Sequence, residues 1–333
     1  MTYKVVLVVL YRKKKTSSTT IVKYKLDQMA TKGTRKNYRG HEEQFIKKEH
    51  AIIQRIKTML RLNKDLDNLG PIPPYPQPVE FHVTRASHFT YQTGMEGIVN
   101  SGGFLPGRDK LLWWSIEVDD DDITAAEKRF LQSLFPNRTE AQAEKQKPFL
   151  QQFTTSPAFL KSSRYGNFKF TFDLKELLHE YRKQMCNGEK PILRVYETML
   201  YKQEIIHSVI IHSPDTHEFD EYPIFPTGLH DFLDGTIVWC PEAMSGTHRY
   251  ELITDVEENT VHARDVGCNP TQYVWNNLTL AFHIKSLKFD KATLVSKLSA
   301  CKIKDPELAE IATQKVAQFK ERYGAQDNIP VVN

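Results

Sequence analysis

Two runs near the middle of the chain decide the fold class: Ile192-Leu193-Arg194-Val195-Tyr196-Glu197, then Glu204-Ile205-Ile206-His207-Ser208-Val209-Ile210-Ile211-His212. Both are short, apolar and rich in β-branched residues, and polar residues bound them, so both read as strands. They follow one another with no helical pattern between. Working outward, further strands are expected at Glu80–Thr84, Leu111–Val118, Asn167–Phe172, Thr236–Cys240 and Leu278–Ile284. Helical patterns are expected at about 92–101, 123–134, 174–186 and 305–323, with the acidic run Asp119–Asp122 in the turn before the second. Strands outnumber helices and do not alternate strictly with them, which argues for α+β rather than a doubly wound sheet.

Residues 70–78, Gly-Pro-Ile-Pro-Pro-Tyr-Pro-Gln-Pro, can neither continue a helix nor enter a sheet interior. They read as an extended linker. Before it, Tyr3–Tyr11 and Thr20–Leu26 read as a hairpin with a basic tip, and His41–Leu62 as a helix. The charge changes sign across the same point: residues 1–70 hold 17 Lys/Arg against 6 Asp/Glu, and the rest 28 against 35. The expected organisation is a small basic β-β-α module (1–69), a Pro-rich linker (70–79), a larger α+β domain (80–303), and a C-terminal helix and tail (304–333).

The basic segment offers Lys13, Lys14, Lys15, Lys32, Arg35, Lys36 and Arg39 to phosphates, with Tyr11, Tyr24 and Tyr38 beside them for stacking on bases. The ordinary alternative is a solvated basic face. The apolar run Val5–Tyr11 is far shorter than the roughly 20 residues of a membrane-spanning helix. No secretory pattern is read. The four cysteines, Cys186, Cys240, Cys268 and Cys301, lack metal-knuckle spacing. A cytoplasmic or nuclear location with free thiols is expected.

In the larger domain four pieces occur in order. Phe81-His82-Val83-Thr84 is a strand carrying His and Thr. A helix leads to Ser101-Gly102-Gly103-Phe104. Thr154-Thr155-Ser156-Pro157-Ala158-Phe159 and Ser163-Arg164-Tyr165-Gly166 precede the strand Phe168–Phe172. Finally Gln203-Glu204 opens a strand. Over about residues 80–215 this order resembles the ADP-ribosyltransferase superfamily, taken broadly to include poly-ADP-ribose polymerases, DNA-modifying toxins and RNA 2′-phosphotransferases. The resemblance implies a split, strongly bent sheet with a cofactor cleft. It implies NAD as substrate, His82 holding its adenosine ribose with Thr84 in support, and Phe159 or Tyr165 stacking on nicotinamide beside Ser156. Glu204 would stabilise the positive charge that develops on the ribose carbon. Glu197 stands as an alternative carboxylate. Each piece also has an ordinary reading: a strand-end histidine, a surface carboxylate, a helix stop, core aromatics.

Other chemistry is weaker. Strand, strand, then a helix opening His41-Glu42-Glu43 is similar to the first half of the zinc nucleobase deaminases, but no Pro-Cys-x-x-Cys follows. His207 and His212 lie on opposite faces of a strand, which spoils a shared metal site. There is no Gly-x-Ser-x-Gly elbow and no glycine-rich phosphate loop. Two function classes follow: NAD-dependent transfer of ADP-ribose to a macromolecule, protein or nucleic acid, and a non-enzymatic nucleic-acid-binding or adaptor protein on a degenerate enzyme fold. A third, 2′-phosphate transfer, would need Arg85, Arg108 and Arg164 around a phosphate.

Overall fold

A computed structural model describes residues 31–37, 40–52, 55–56, 79–154, 159, 166–201, 204–244, 250–267, 274–301 and 305–324. In chain order its elements are β1 (Lys32–Lys36), β2 (Glu42–Lys47), β3 (Phe81–Val83), β4 (Arg85–Thr90), α1 (Gln92–Ser101), β5 (Gly103–Phe104), β6 (Leu111–Glu117), α2 (Asp120–Leu134), α3 (Glu140–Glu144), β7 (Phe168–Asp173), α4 (Leu174–Met185), β8 (Ile192–Tyr201) and β9 (Glu204–His212). There follow β10 (His230–Leu233), β11 (Thr236–Trp239), β12 (Ala243–Met244), β13 (Tyr250–Asp255), β14 (Thr260–Asp265), β15 (Val274–His283), β16 (Leu287–Lys288), α5 (Lys291–Lys297), β17 (Leu298–Ala300) and α6 (Pro306–Gly324).

The chain is α+β, built on one large mixed sheet ordered β1-β2-β8-β9-β15-β6-β4-β7-β17. β12 pairs with β15 off this path, and β9–β15 is the parallel contact. A smaller sheet runs β10-β11-β3. The near-continuous apolar sequence of β9 suits its central place, where all residues after Glu204 are buried.

Alternation along the strands gives the large sheet two different faces. Val209, Ile211, Leu278, Leu280, Trp114, Ile116, Phe170 and Phe172 turn into the main core. The buried residues of α1, α2, α4, α5 and α6 join that same core, Leu177, Ile98 and Val295 among them. Trp114, Phe104, Phe172 and Phe289 meet there at ring distances of 4.6–6.2 Å. Each fully buried side chain of this size contributes about 1.5–3 kcal/mol. The opposite face carries a small apolar cluster of Leu111, Ile210, Phe219 and Ala281. Beside it the register aligns Glu197, Ser208, Thr279, Ser115, Ser87 and Thr171 in one polar row across six strands.

Local chemistry fixes the helix ends. Asp119 and Asp122 form a reciprocal capping box, so α2 begins three residues earlier than expected. Arg85 pairs with both carboxylates, at 2.6 and 3.1 Å. α1 ends on Gly102, whose φ of 66° is the left-handed conformation that glycine adopts without steric cost.

The expectations for the N-terminal segment are corrected. Residues 42–47 are a strand, not the first turns of a helix. β2 hydrogen-bonds to β8 with Phe45 opposite Met199, so 32–47 is the edge of the large sheet and not a separate module. Pairing with a partner 150 residues away outweighs a mixed three- and four-residue apolar spacing. The expected strands at 3–11 and 20–26 and the linker at 70–78 lie outside the described residues.

Candidate functional site

Glu204 opens β9 opposite Tyr201 of β8 and Trp275 of β15. It shares its side of the strand with Ser208 and Ile210, and so turns toward the polar face. That face holds a charged network. The Glu117 carboxylate accepts from Lys169 Nζ at 2.5 Å, from Thr171 Oγ1 at 3.2 Å and from Ser87 Oγ. Burial works against its charge, but these donors hold its pKa below the usual carboxylate range. Ser208 and Thr279 exchange a 3.0 Å hydroxyl contact further along the row.

Glu197 lies on the same face, fully buried. Arg35 grips it through Nη2–Oε1 at 2.5 Å and Nη1–Oε2 at 3.0 Å, and gives Nε to Glu43 at 3.1 Å. A fully buried carboxylate so engaged by Arg35 is a poor alternative for the reacting group. The same network corrects the expectation for Arg35: its charge is taken up inside the fold rather than offered to a phosphate. Lys36 is exposed, whereas Lys13, Lys14, Lys15 and Arg39 lie outside the described residues.

His82 does not join Glu204. Phe81 and Val83 on either side of it are buried in the main core, so the imidazole turns outward from β3, where Nε2 stands 3.7 Å from Glu80 Oε2. Thr84 is exposed between β3 and β4, and its carbonyl accepts from the Leu174 amide at 2.7 Å. Phe159 packs on Phe81 at 5.0 Å and on Trp239 at 5.2 Å, a core aromatic rather than an open stacking face. Ser156 and Tyr165 lie outside the described residues, as does Arg164. Arg85 is committed to Asp119 and Asp122, which takes its charge away from a phosphate site. His41 precedes a strand, which removes the helix that a deaminase-like zinc site requires.

A second His-x-Thr, His88-Phe89-Thr90, was passed over in the sequence reading. The signal was present: α1 starts only two residues after Thr90 and runs straight into Gly102-Gly103-Phe104. β4 pairs with β6 only over residues 85–87, while β6 continues along β15 as far as Leu111 opposite His283. The two strands therefore part after Ser87. The half-buried His88 ring lies at this parting, with Nδ1 2.9 Å from the Trp113 carbonyl and its ring against Phe104 and Trp114. Burial lowers its pKa, so the ring is neutral. Nδ1 must then carry the proton toward the carbonyl, which leaves Nε2 as an acceptor for a hydroxyl.

Gly166 packs against the end of this unit. A Cβ there would come within 2.0 Å of the Thr90 carbonyl oxygen, and its φ of 138° is one that side chains rarely adopt. Gly166 is thereby held beside Thr90. A cavity of about 290 Å³ opens at the same junction, lined by Tyr91, Gln92, Thr93, Asn167, Leu308 and Ile311. Of the four pieces expected from the sequence, the helix ending in Gly102-Gly103-Phe104 and the Gly166–Phe172 end of the third meet beside β4, whereas the His82 strand does not supply the histidine there. Glu204 stands apart: it lies three strand spacings across and about five residues along the strands from His88, on the order of 20 Å, and it turns to the opposite face of the sheet from the His88 ring. No family model, characterised protein or solved structure matches the chain.

Proposed function

We propose that this chain binds NAD through the β4–α1–β5 unit and transfers ADP-ribose to a macromolecular acceptor, protein or nucleic acid, with Glu204 as the carboxylate that the transfer requires. The observation that carries the reading is the continuous run His88-Phe89-Thr90, α1, Gly102-Gly103-Phe104, with Gly166 seated on Thr90. In this proposal His88 takes the place first given to His82: its Nε2 accepts a ribose hydroxyl. Loss of nicotinamide leaves positive charge on the ribose carbon, and a carboxylate directed at that carbon lowers the barrier and orients the attacking hydroxyl.

Glu204 lies far from this unit and on the other face of the sheet from the His88 ring, which favours one second reading, a non-enzymatic adaptor that keeps nucleotide recognition and has lost transfer. Incubation with labelled NAD separates the two. Transfer that falls by about 100-fold or more in Glu204→Gln supports the enzyme. NAD-dependent heat stabilisation without label transfer, abolished in His88→Ala, supports the adaptor. Absence of both stabilisation and transfer removes both readings, and equal transfer by wild type and Glu204→Gln removes Glu204 from the chemistry.

A further inference from the structure

His207 and His212 do diverge on β9, as their spacing requires, yet His207 is not alone. His50 reaches it from the segment after β2, and His230 from the first strand of the small sheet. The His50 and His207 rings stack at 4.9 Å with 12° between planes, and His230 closes the group at 5.1 and 5.6 Å from them. His207 and His230 are almost wholly buried and His50 is 9% exposed. One ligand atom from each lies within 4.8 Å of the other two.

The hydrogen bonds around the cluster set its tautomers. His50 Nε2 lies 2.9 Å from the Ser208 carbonyl, and His207 Nε2 lies 3.1 Å from the Ala51 carbonyl. A carbonyl only accepts, so each Nε2 carries the proton and each Nδ1 presents a lone pair inward. His50 Nδ1 is buried with no hydrogen-bond partner, and so is His230 Nδ1. His50, fixed by a backbone carbonyl with its other nitrogen bare, has the arrangement of a metal-binding histidine. Burial keeps all three rings neutral, lowering the pKa of His50 to about 4 and those of His207 and His230 well below the ordinary value. Phe225 packs edge-on against His50 at 6.1 Å and adds an apolar wall.

We propose that His50, His207 and His230 bind one divalent transition-metal ion, Zn²⁺ by ligand type, that ties the segment after β2 to the central strand and to the small sheet. Imidazole nitrogens suit this class of ion, and uncharged donors in a buried site exclude Mg²⁺ and Ca²⁺, which require oxygen ligands. His207 Nδ1 and His230 Nε2 now lie 2.8 Å apart, bridged by the His230 proton. On binding, that proton moves to His230 Nδ1 and both lone pairs face the cation. Tetrahedral Zn–N bonds of about 2.0–2.1 Å space donors about 3.3 Å apart, so closure needs shifts of roughly an ångström or so. The fourth position falls to water. The anchor is prepared on the His50 side: Thr198 Oγ1 accepts from the Ala51 amide at 2.8 Å and donates to the Glu49 carbonyl at 2.7 Å, holding residues 49–51 on the sheet.

The test uses the full chain without a polyhistidine tag. Elemental analysis after dialysis is expected to give one Zn²⁺ per chain. Metal-stripped protein is expected to regain heat stability on adding Zn²⁺, and Co²⁺ in its place to give the visible d–d absorption of a nitrogen-bound tetrahedral site. His50→Gln weakens binding by about 100-fold or more, while His212→Gln, outside the cluster, leaves it unchanged. The Co²⁺ spectrum is read on wild type, so it stands even if a cluster variant fails to fold. Less than one tenth of an ion per chain together with no Zn²⁺-dependent stabilisation overturns the site. So does a Co²⁺ spectrum that is the same in folded His50→Gln as in wild type.

Discussion

Replacing Arg35 by Met removes the partner of a carboxylate that has no other access to charge compensation from water. Glu197 is fully buried, and two of the Arg35 hydrogen bonds end on it. Burial opposes the guanidinium charge, but Glu197 and Glu43 outweigh it and raise the Arg35 pKa above its ordinary value. Removing one partner of a buried pair costs about 3–5 kcal/mol, because the other charge is left uncompensated. Arg35 itself is 36% exposed, so water entering its place softens the loss. We expect about 2–3 kcal/mol for Arg35→Met. Glu197→Gln leaves Arg35 paired with Glu43 and creates no orphan charge, so its cost is about 1 kcal/mol. The double variant removes the Glu197 charge but leaves buried Glu43 without Arg35, so it is expected between Glu197→Gln and Arg35→Met. Urea unfolding at constant slope measures all three. Arg35→Met within about 0.5 kcal/mol of wild type, or a double variant as unstable as Arg35→Met, refutes the account.

Gly166→Ala meets the Thr90 carbonyl at an unfavourable φ and is expected to lose more than about 1 kcal/mol, whereas Gly97→Ala, on the exposed side of α1 with nothing within 4 Å, gains about 0.5–1 kcal/mol; urea midpoints check both. Acid destabilises the fold through His88. Its pKa is lowered in the folded state, so the unfolded chain takes up the proton first and stability is lost as pH falls below about 6.5. His88→Gln is expected to lessen the slope of melting temperature against pH between about 5 and 6.5, and an unchanged slope counts against a buried neutral ring. Lys169→Met removes a donor that holds Glu117 ionised, so the Glu117 carboxyl titrates at higher pH, readable by carboxyl NMR.

The four longer helices and the strands β6, β7, β8, β9, β11 and β15 were legible because each is encoded by its own residues, whereas β4 and the short strands such as β10, β13 and β14 were not. Gln92–Ser101, Leu174–Met185 and Pro306–Gly324 match the helical patterns closely, and Glu204–His212 matches its strand. Apolar period and chain-breaking residues act over a few positions, and a burial pattern follows from them. Residues 42–47 failed the same reading because their state depends on β8, not on their neighbours. His88 was readable, since the helix starts just after it, but the earlier His82 satisfied the same two-letter spacing.

Local pattern was therefore enough for the α+β class, the longer helices and the central strands, with Glu204 at the opening of β9. The tertiary structure alone decided that Arg35 spends its charge on Glu197, that His82 turns outward, and that histidines at 50, 207 and 230 meet. Those outcomes depend on which strands pair and in what register. A shift of one residue turns every side chain to the other face, and no local pattern in the chain carries that information.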